Sequence, residues 1–154
     1  MMKESHAPTP APELPETTRS LPITMLRARE TVMAPIRKML QKVGVTEQQW
    51  RVLRVLAERG TMDPKDLAIG ASLLNPSLTR IMQLLEKKGL ISRRDHPSDR
   101  RKVLVDITPE GTAILTQAAP ESRAIFARLE EQYGRDRVEQ LLDLLNALSD
   151  LELK

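Results

Sequence analysis

Residues 63–89, DPKDLAIGASLLNPSLTRIMQLLEKKG, decide the fold of this 154-residue chain. Asp63-Pro64 and Asn75-Pro76 each place a capping residue before a proline, which is a typical helix start because proline is tolerated in the first helical turn. The stretch therefore predicts a short helix that ends near Gly70, a tight turn, and a second helix that runs to about Lys88. Two helices joined by such a turn form a helix-turn-helix.

A further helix is predicted directly before this stretch. Residues 46–49 (TEQQ) are a capping box, in which the threonine and glutamine side chains satisfy backbone N–H groups at a helix start. We expect this helix to reach about Arg59. Its inward face is predicted to consist of one aromatic and three aliphatic residues: Trp50, Leu53, Leu56 and Ala57.

A β-hairpin is predicted after the helix-turn-helix. Residues 90–94 form a short apolar-to-basic run, and residues 102–107 place a β-branched apolar residue at every second position, which is the pattern of a half-buried strand. Residues 95–99 (DHPSD) predict the loop between them. A helix-turn-helix followed by a hairpin predicts a mainly α-helical winged helix-turn-helix domain over residues 46–107.

Amphipathic helices flank this domain on both sides. Residues 21–43 show apolar spacings of three and four, with Pro35 expected to kink or split the helix. A helix from Pro109 to about residue 132 is expected to be interrupted at Pro120. A leucine-rich helix follows over about residues 136–150, and together these helices present more apolar surface than one small domain covers. We therefore predict a helical dimerisation region over residues 21–45 and 108–154, preceded by a proline-rich disordered tail over residues 1–20.

The composition argues against several classes of protein. The chain has no cysteine and two histidines, so disulfides and thiolate metal sites are excluded, and no Gly-rich phosphate loop or nucleophile–base pair is present at a usable spacing. We therefore predict neither an enzyme nor a bound metal or cofactor. No apolar run is long enough to span a membrane and no signal peptide is visible, so we expect a cytoplasmic protein.

Positive charge is concentrated in the predicted hairpin. Residues 87–102 hold seven lysines and arginines and two aspartates, a net charge of +5, whereas the whole chain carries only +3. A localised basic patch is typical of proteins that bind a polyanion such as DNA, although a solvated basic hairpin without function would show the same charge.

Candidate DNA contacts lie on the second helix of the helix-turn-helix and on the hairpin. The N-terminal residues of such a helix face base edges in the major groove, and a hairpin arginine can enter the minor groove. We hypothesise that Arg101 enters the minor groove and that the Asp99 carboxylate orients its guanidinium group. The full set of predicted DNA-binding residues is Asn75, Ser77, Thr79, Arg80, Arg93, Arg94, Asp99, Arg100 and Arg101.

These residues carry a resemblance to a known family. Residues 77–80 (SLTR), residues 85–90 (LEKKGL) and the DRR of residues 99–101, followed by Ile107-Thr108 and Gly111, resemble the recognition helix and wing of MarR-family regulators. Residues 26–33 (LRARETVM) and 46–50 (TEQQW) are similar to the HpaR branch, which represses the catabolism of homoprotocatechuate and related aromatic acids. The resemblance implies a homodimeric transcription regulator of double-stranded DNA, with first and last helices that interleave and a pseudo-palindromic operator.

One charged residue interrupts the apolar stripe of the first helix. Arg29 lies on the same helical face as Met25 and Met33, where an unpaired arginine would be costly to bury. It is predicted either to bind the carboxylate of a small aromatic acid, in a pocket with these methionines and Trp50, or to pair with an acidic residue of the partner subunit. The resemblance implies that such an acid would act as effector.

Two other functions compete with an effector-controlled repressor. The chain could be a regulator that binds DNA without any ligand, or a winged-helix adaptor that uses the fold for protein contacts. An adaptor would not need both Arg80 and Arg101, and DNA binding that weakens steeply with salt would exclude it.

Overall fold

The computed structural model describes residues 13–153 and divides the chain into two compact units, Met1–Ala34 and Pro35–Lys154. The predicted tail lies mostly outside the described residues, but Thr17–Arg19 form an exposed 3-10 turn. The helices and strands that follow are α1 (Leu21–Val43), α2 (Glu47–Arg59), α3 (Pro64–Gly70), α4 (Asn75–Lys87), β1 (Ile91–Asp95), β2 (Val103–Ile107), α5 (Pro109–Tyr133) and α6 (Arg135–Ser149).

The two long helices continue through their internal prolines. Pro35 lies inside α1 and Pro120 lies inside α5, and neither residue divides its helix. The predicted interruption at Pro120 is therefore wrong. A proline removes a single N–H from the helical hydrogen-bond ladder, and the turns on both sides retain theirs.

Helix α2 starts at the predicted capping box but buries a slightly different face. Thr46 accepts a hydrogen bond from the Gln49 backbone N–H at 3.1 Å, and the Gln49 side chain accepts one from the Thr46 N–H at 3.1 Å. Trp50 is only half-buried and Ala57 is exposed, which corrects their predicted core positions. The buried face is instead Gln49, Val52, Leu53 and Leu56.

The helix-turn-helix has the predicted order with one shift in register. Asp63 caps α3 by accepting a hydrogen bond from the Asp66 N–H at 2.9 Å. The tight turn contains Ser72 in the left-handed region, with φ of 53°. Helix α4 begins at Asn75, so Asn75 is not the N-cap that its sequence predicts; the extended backbone ends one residue earlier, at Leu74. Leu74 forms no side-chain cap.

The hairpin of β1 and β2, which is called the wing below, forms as predicted and makes one additional contact. Strands β1 and β2 pair antiparallel with Ile91 opposite Ile107, and both strands start one residue later than predicted. Met62, which lies before α3, bridges to Val105 through two backbone hydrogen bonds of 3.1 and 2.8 Å. Sequence periodicity could not reveal this bridge, because a single paired residue has no repeat.

A carboxylate joins the two strands of the wing to the α2–α3 connection. Asp106 accepts a 2.9 Å hydrogen bond from Arg94 Nε and a short one from the Thr61 hydroxyl. These two hydrogen bonds, first that from Thr61 and then that from Arg94, lower the pKa of Asp106 below its ordinary value of 3.8.

Asp106→Asn should flatten the acid dependence of stability. Because the pKa of Asp106 is lower in the folded chain, its stabilising effect is complete above the unfolded-state pKa and disappears as the pH falls through the folded-state pKa. We expect the free energy of unfolding of the wild type to decrease more between about pH 5 and pH 3 than that of the variant. Urea unfolding at a series of pH values measures this, and equal slopes for the two proteins would contradict it.

The start of α5 is held closely against the end of α4 and the wing. Thr108 caps α5 by accepting a 3.1 Å hydrogen bond from the Gly111 N–H, and its hydroxyl donates to the Gly89 carbonyl at 2.6 Å. A Cβ on Gly111 would lie 2.2 Å from the Leu90 carbonyl oxygen and 2.8 Å from Ile107 Cγ1. Glycine is therefore required here by close approach of backbone to backbone.

Helix α6 buries none of its residues within the chain. Phe126 of α5 is also exposed. They belong to the predicted helical dimerisation region, in which a second subunit would cover an apolar face of this size. The exposed leucines of α6 are Leu141, Leu142, Leu144 and Leu145. Within residues 13–153, no helix is both long enough and apolar enough to cross a lipid bilayer.

Candidate nucleic-acid interface

Helix α4 separates an apolar inner face from a polar outer face. Leu78, Ile81, Met82 and Leu85 are buried against the domain, as their spacing predicts. The first two turns place Asn75, Thr79 and Arg80 in solvent and leave Ser77 half-buried. The four residues predicted to contact bases and phosphates are thus brought together at one end of the helix.

The polar groups on this end of α4 remain available to a ligand. The Thr79 hydroxyl donates to the Asn75 carbonyl at 3.1 Å and keeps its oxygen lone pairs as acceptors. In the part of the chain from 13 to 153, Arg80 makes no ion pair. An exposed, unpaired arginine has five N–H donors for guanine edges or phosphate oxygens.

The cations of the wing divide into two groups. Arg93 Nε lies 2.6 Å from Glu86 Oε2, and Arg94 Nε lies 2.9 Å from Asp106 Oδ2, so both strand arginines have acidic neighbours. Arg100 and Arg101 lie in the exposed turn between the strands, and neither forms an ion pair within the described residues. The wing tip therefore offers the more accessible positive charge.

Asp99 contacts the main chain of the wing turn. Its Oδ1 accepts a hydrogen bond from the Arg101 backbone N–H at 3.0 Å, and its carbonyl accepts one from the Lys102 N–H at 3.0 Å. The sequence-based hypothesis paired this carboxylate with the Arg101 guanidinium group. The structure places it on the backbone instead, because an aspartate in a tight turn readily satisfies the N–H two residues later.

The recognition helix is also tied to the end of α1. Lys88 Nζ, just beyond α4, donates a 2.9 Å hydrogen bond to the Gly44 carbonyl. Gly44 has φ of 75° and ends α1. A lysine at this position satisfies a carbonyl that has no partner within its own helix.

An open groove of about 460 Å³ lies between α2 and α5. It combines aromatic and aliphatic surface with two guanidinium groups, one carboxylate and one hydroxyl. A groove with this lining can hold a flat ring against the indole and a carboxylate against an arginine. The lining residues are Trp50, Arg54, Ala57, Glu58, Leu115, Ala119, Ser122 and Arg123.

The predicted effector residues are only partly found in this groove. Trp50 lines it, whereas Met25 and Arg29 are exposed residues of α1 and Met33 is half-buried there. Arg54 was not among the effector residues predicted from the sequence. A signal was available, since Arg54 follows Trp50 by four residues and therefore shares its side of the helix.

Clusters of metal-binding residues are not part of this site. Within residues 13–153, no group of three or more histidine, cysteine, aspartate or glutamate side chains is arranged to hold a metal ion.

Comparisons with known proteins agree with this geometry. The MarR family pattern matches residues 45–103. The homoprotocatechuate degradative operon repressor of Escherichia coli is 39% identical over 126 residues, which are 82% of this chain and 85% of that protein. The structure of NadR in complex with 4-hydroxyphenylacetate is 38% identical with a TM-score of 0.80, covering 92% of this chain and all of that one. The repressor CouR bound to a 23-mer DNA duplex is 28% identical with a TM-score of 0.80, covering 90% of this chain and 99% of that one.

The fold and its recognition helix thus define a winged-helix DNA-binding regulator. The chain belongs to the MarR family, whose members are dimeric transcription regulators, and it is similar to that family's HpaR branch.

Proposed function

We propose that this protein represses genes of aromatic-compound catabolism and leaves its operator when a small aromatic carboxylate binds in the groove between α2 and α5. It acts by binding and not by catalysis. The observation that carries the proposal is the juxtaposition of Trp50 with Arg54 and Arg123 in one groove, in a chain with a free DNA-reading helix.

The chemistry of the groove supports an aromatic acid as effector. Arg54 and Arg123 supply two guanidinium groups, and each presents a planar fork that fits a carboxylate. Trp50 supplies an aromatic face, while Glu58 and Ser122 supply acceptors for a ring hydroxyl. NadR, a relative of this chain, was solved with 4-hydroxyphenylacetate. That compound has a carboxylate, an aromatic ring and a ring hydroxyl, which are the groups that this groove could bind.

Trp50 makes the effector prediction directly measurable. It is the only tryptophan of the chain, so its fluorescence reports on the groove alone. We expect 4-hydroxyphenylacetate to change this fluorescence and, over the same concentration range, to release operator DNA. Arg54→Ala should weaken binding of the acid by roughly 10- to 100-fold, because it removes one charge-assisted hydrogen bond.

Two controls separate the effector from nonspecific effects. The neutral amide of the same compound keeps the ring and hydroxyl but lacks the charge, and should bind far more weakly. Arg128→Ala removes an equally charged, exposed residue of α5 outside the groove and should leave binding unchanged. If no carboxylate changes the fluorescence and DNA stays bound, the protein is a regulator without an effector of this class.

Arg29 of α1 remains a proposed effector-binding residue. Arg29 is exposed on α1, so the argument that a buried arginine needs an anionic partner does not apply within a single chain. Arg29→Gln is expected to weaken the same fluorescence titration. Unchanged affinity, together with a less stable dimer, would favour the ion pair between subunits.

We further propose that the wing tip contributes to DNA affinity through Arg101. Arg101→Ala should weaken operator binding and lower the slope of log K against log salt by about 0.9 for each phosphate that the protein no longer neutralises. Binding titrations at several salt concentrations measure both quantities. An unchanged affinity and slope would remove Arg101 from the interface.

Two substitutions of Asp99 test how this residue acts on Arg101. Asp99→Asn keeps an oxygen that can accept the Arg101 N–H but removes the charge, whereas Asp99→Ala removes both. Weaker DNA binding only in the alanine variant would assign Asp99 to the shape of the turn. Equal weakening in both variants would favour a direct charge effect on the arginine.

A further inference from the structure

The N-cap of the recognition helix is an exposed leucine. Leu74 has an extended backbone, forms no side-chain cap, and is 77% exposed. Leucine is among the poorest residues at this position, where serine, threonine, asparagine and aspartate are preferred because they accept a backbone N–H. The chain thus forgoes a cap at this helix start, although α2, α3 and α5 all have one.

Local packing does not account for this leucine. Other residues hold the turn in place. The Leu73 N–H donates to the Ala68 carbonyl at 2.9 Å, and Leu78 is buried on the inner face of α4. The Leu74 carbonyl accepts the first helical bond from Leu78, also at 2.9 Å. The backbone of Leu74 is therefore held in place while its side chain remains in solvent.

The position of Leu74 identifies the surface that would cover it. It directly precedes Asn75, at the polar end of a helix that also carries Ser77 and Arg80 and that enters the major groove in this class of fold. CouR, with the same fold and 28% identity, was solved on a DNA duplex. In the major groove, the feature of a base edge that an aliphatic side chain recognises is the C5-methyl group of thymine.

We propose that Leu74 is a specificity-determining residue that selects thymine in each operator half-site by contact with its methyl group. This inference goes beyond DNA binding by the family, because it assigns a base preference to a residue outside the polar set. Burial of one methyl-sized group corresponds to about 0.8 kcal/mol, so the expected preference is roughly fourfold per half-site.

Selection from a randomised pool of duplexes tests the proposal with the full chain. Wild type, Leu74→Ala and Ile69→Ala are each used to select DNA, and the bound sequences are compared. Ile69 is the matched control because it is 70% exposed on α3, in the same helix-turn-helix but not on the reading helix. We expect the wild type and the Ile69 variant to share one thymine per half-site that the Leu74 variant no longer prefers.

Uracil then isolates the methyl group. Replacing the selected thymine with uracil should weaken the wild type roughly fourfold per half-site and leave Leu74→Ala unchanged. Since Leu74 is exposed, the variant should keep the wild-type circular dichroism spectrum. Equal effects of uracil on both proteins, or identical selected sequences, would overturn the proposal while leaving DNA binding intact. Failure of the wild type to select any sequence would overturn the DNA-binding function together with it.

Discussion

Gly111→Ala is expected to destabilise the folded chain by about 3 kcal/mol or more, because overpacking against backbone atoms cannot be relieved by a side-chain rotation. The added Cβ would lie 2.2 Å from the Leu90 carbonyl oxygen. Relief requires α5 to move away from the wing, which would also stretch the hydrogen bonds from Thr108 to Gly89 and Leu90, now 2.6 and 3.1 Å. Urea unfolding measures the decrease in stability.

Two substitutions calibrate this result. Thr112→Ala changes the next, exposed residue of the same helical turn and should alter the free energy of unfolding by less than about 0.5 kcal/mol. The Cβ of Gly70→Ala would meet side-chain atoms and no backbone atom among its nearest neighbours: Val55 Cγ1 at 2.9 Å, and Arg59 Nη1 and Cζ at 3.0 and 3.6 Å. A destabilisation by Gly111→Ala as small as that by Gly70→Ala would mean that α5 and the wing are not rigidly joined.

Arg80→Ala should cause the largest decrease of operator affinity among single substitutions in the recognition helix. Its guanidinium group is exposed and has no ion-pair partner within residues 13–153, so it is available to bind DNA. A bidentate arginine–guanine contact discriminates by about 1–3 kcal/mol. Two half-sites on a dimer double this value, which corresponds to at least roughly 30-fold in Kd at constant salt.

The measurement must distinguish a contact of Arg80 to a base from a nonspecific effect of its positive charge. Arg135→Ala removes the same charge from α6, far along the chain from the helix-turn-helix, and should leave the affinity unchanged. If the Arg80 variant no longer discriminates between the operator and a duplex with one altered base, Arg80 contacts a base. A uniform decrease across all duplexes would assign it to a phosphate, and no decrease at all would remove it from the interface.

Local signals in the sequence predicted most of the winged domain. The capping box of residues 46–49 located the start of α2, and the Asp63-Pro64 pair located the start of α3, since these signals act through hydrogen bonds between residues three apart. The start of α4 was misplaced by one residue because Pro76 is tolerated at either of the first two helical positions, so Asn75 could precede or begin the helix.

Features that depend on contacts distant in sequence were not predictable. The Met62–Val105 bridge joins residues 43 positions apart, and the groove is lined by Arg54 of α2 and Arg123 of α5. Neither pairing leaves a periodic mark in the sequence. The role of Gly111 was similarly invisible beyond a family resemblance, because the carbonyl that excludes a side chain belongs to Leu90, in another part of the fold.

The exposed leucines of α6 have a consequence for how much protein a cell must contain. If this face is covered by a second subunit, as predicted, the folded, DNA-competent state is stabilised at high protein concentration and destabilised on dilution. Two leucine-covered faces that separate would also expose an apolar surface to proteases and chaperones. We therefore expect the lifetime of this regulator to shorten when its concentration falls, so that operator occupancy falls more steeply than the rate of synthesis.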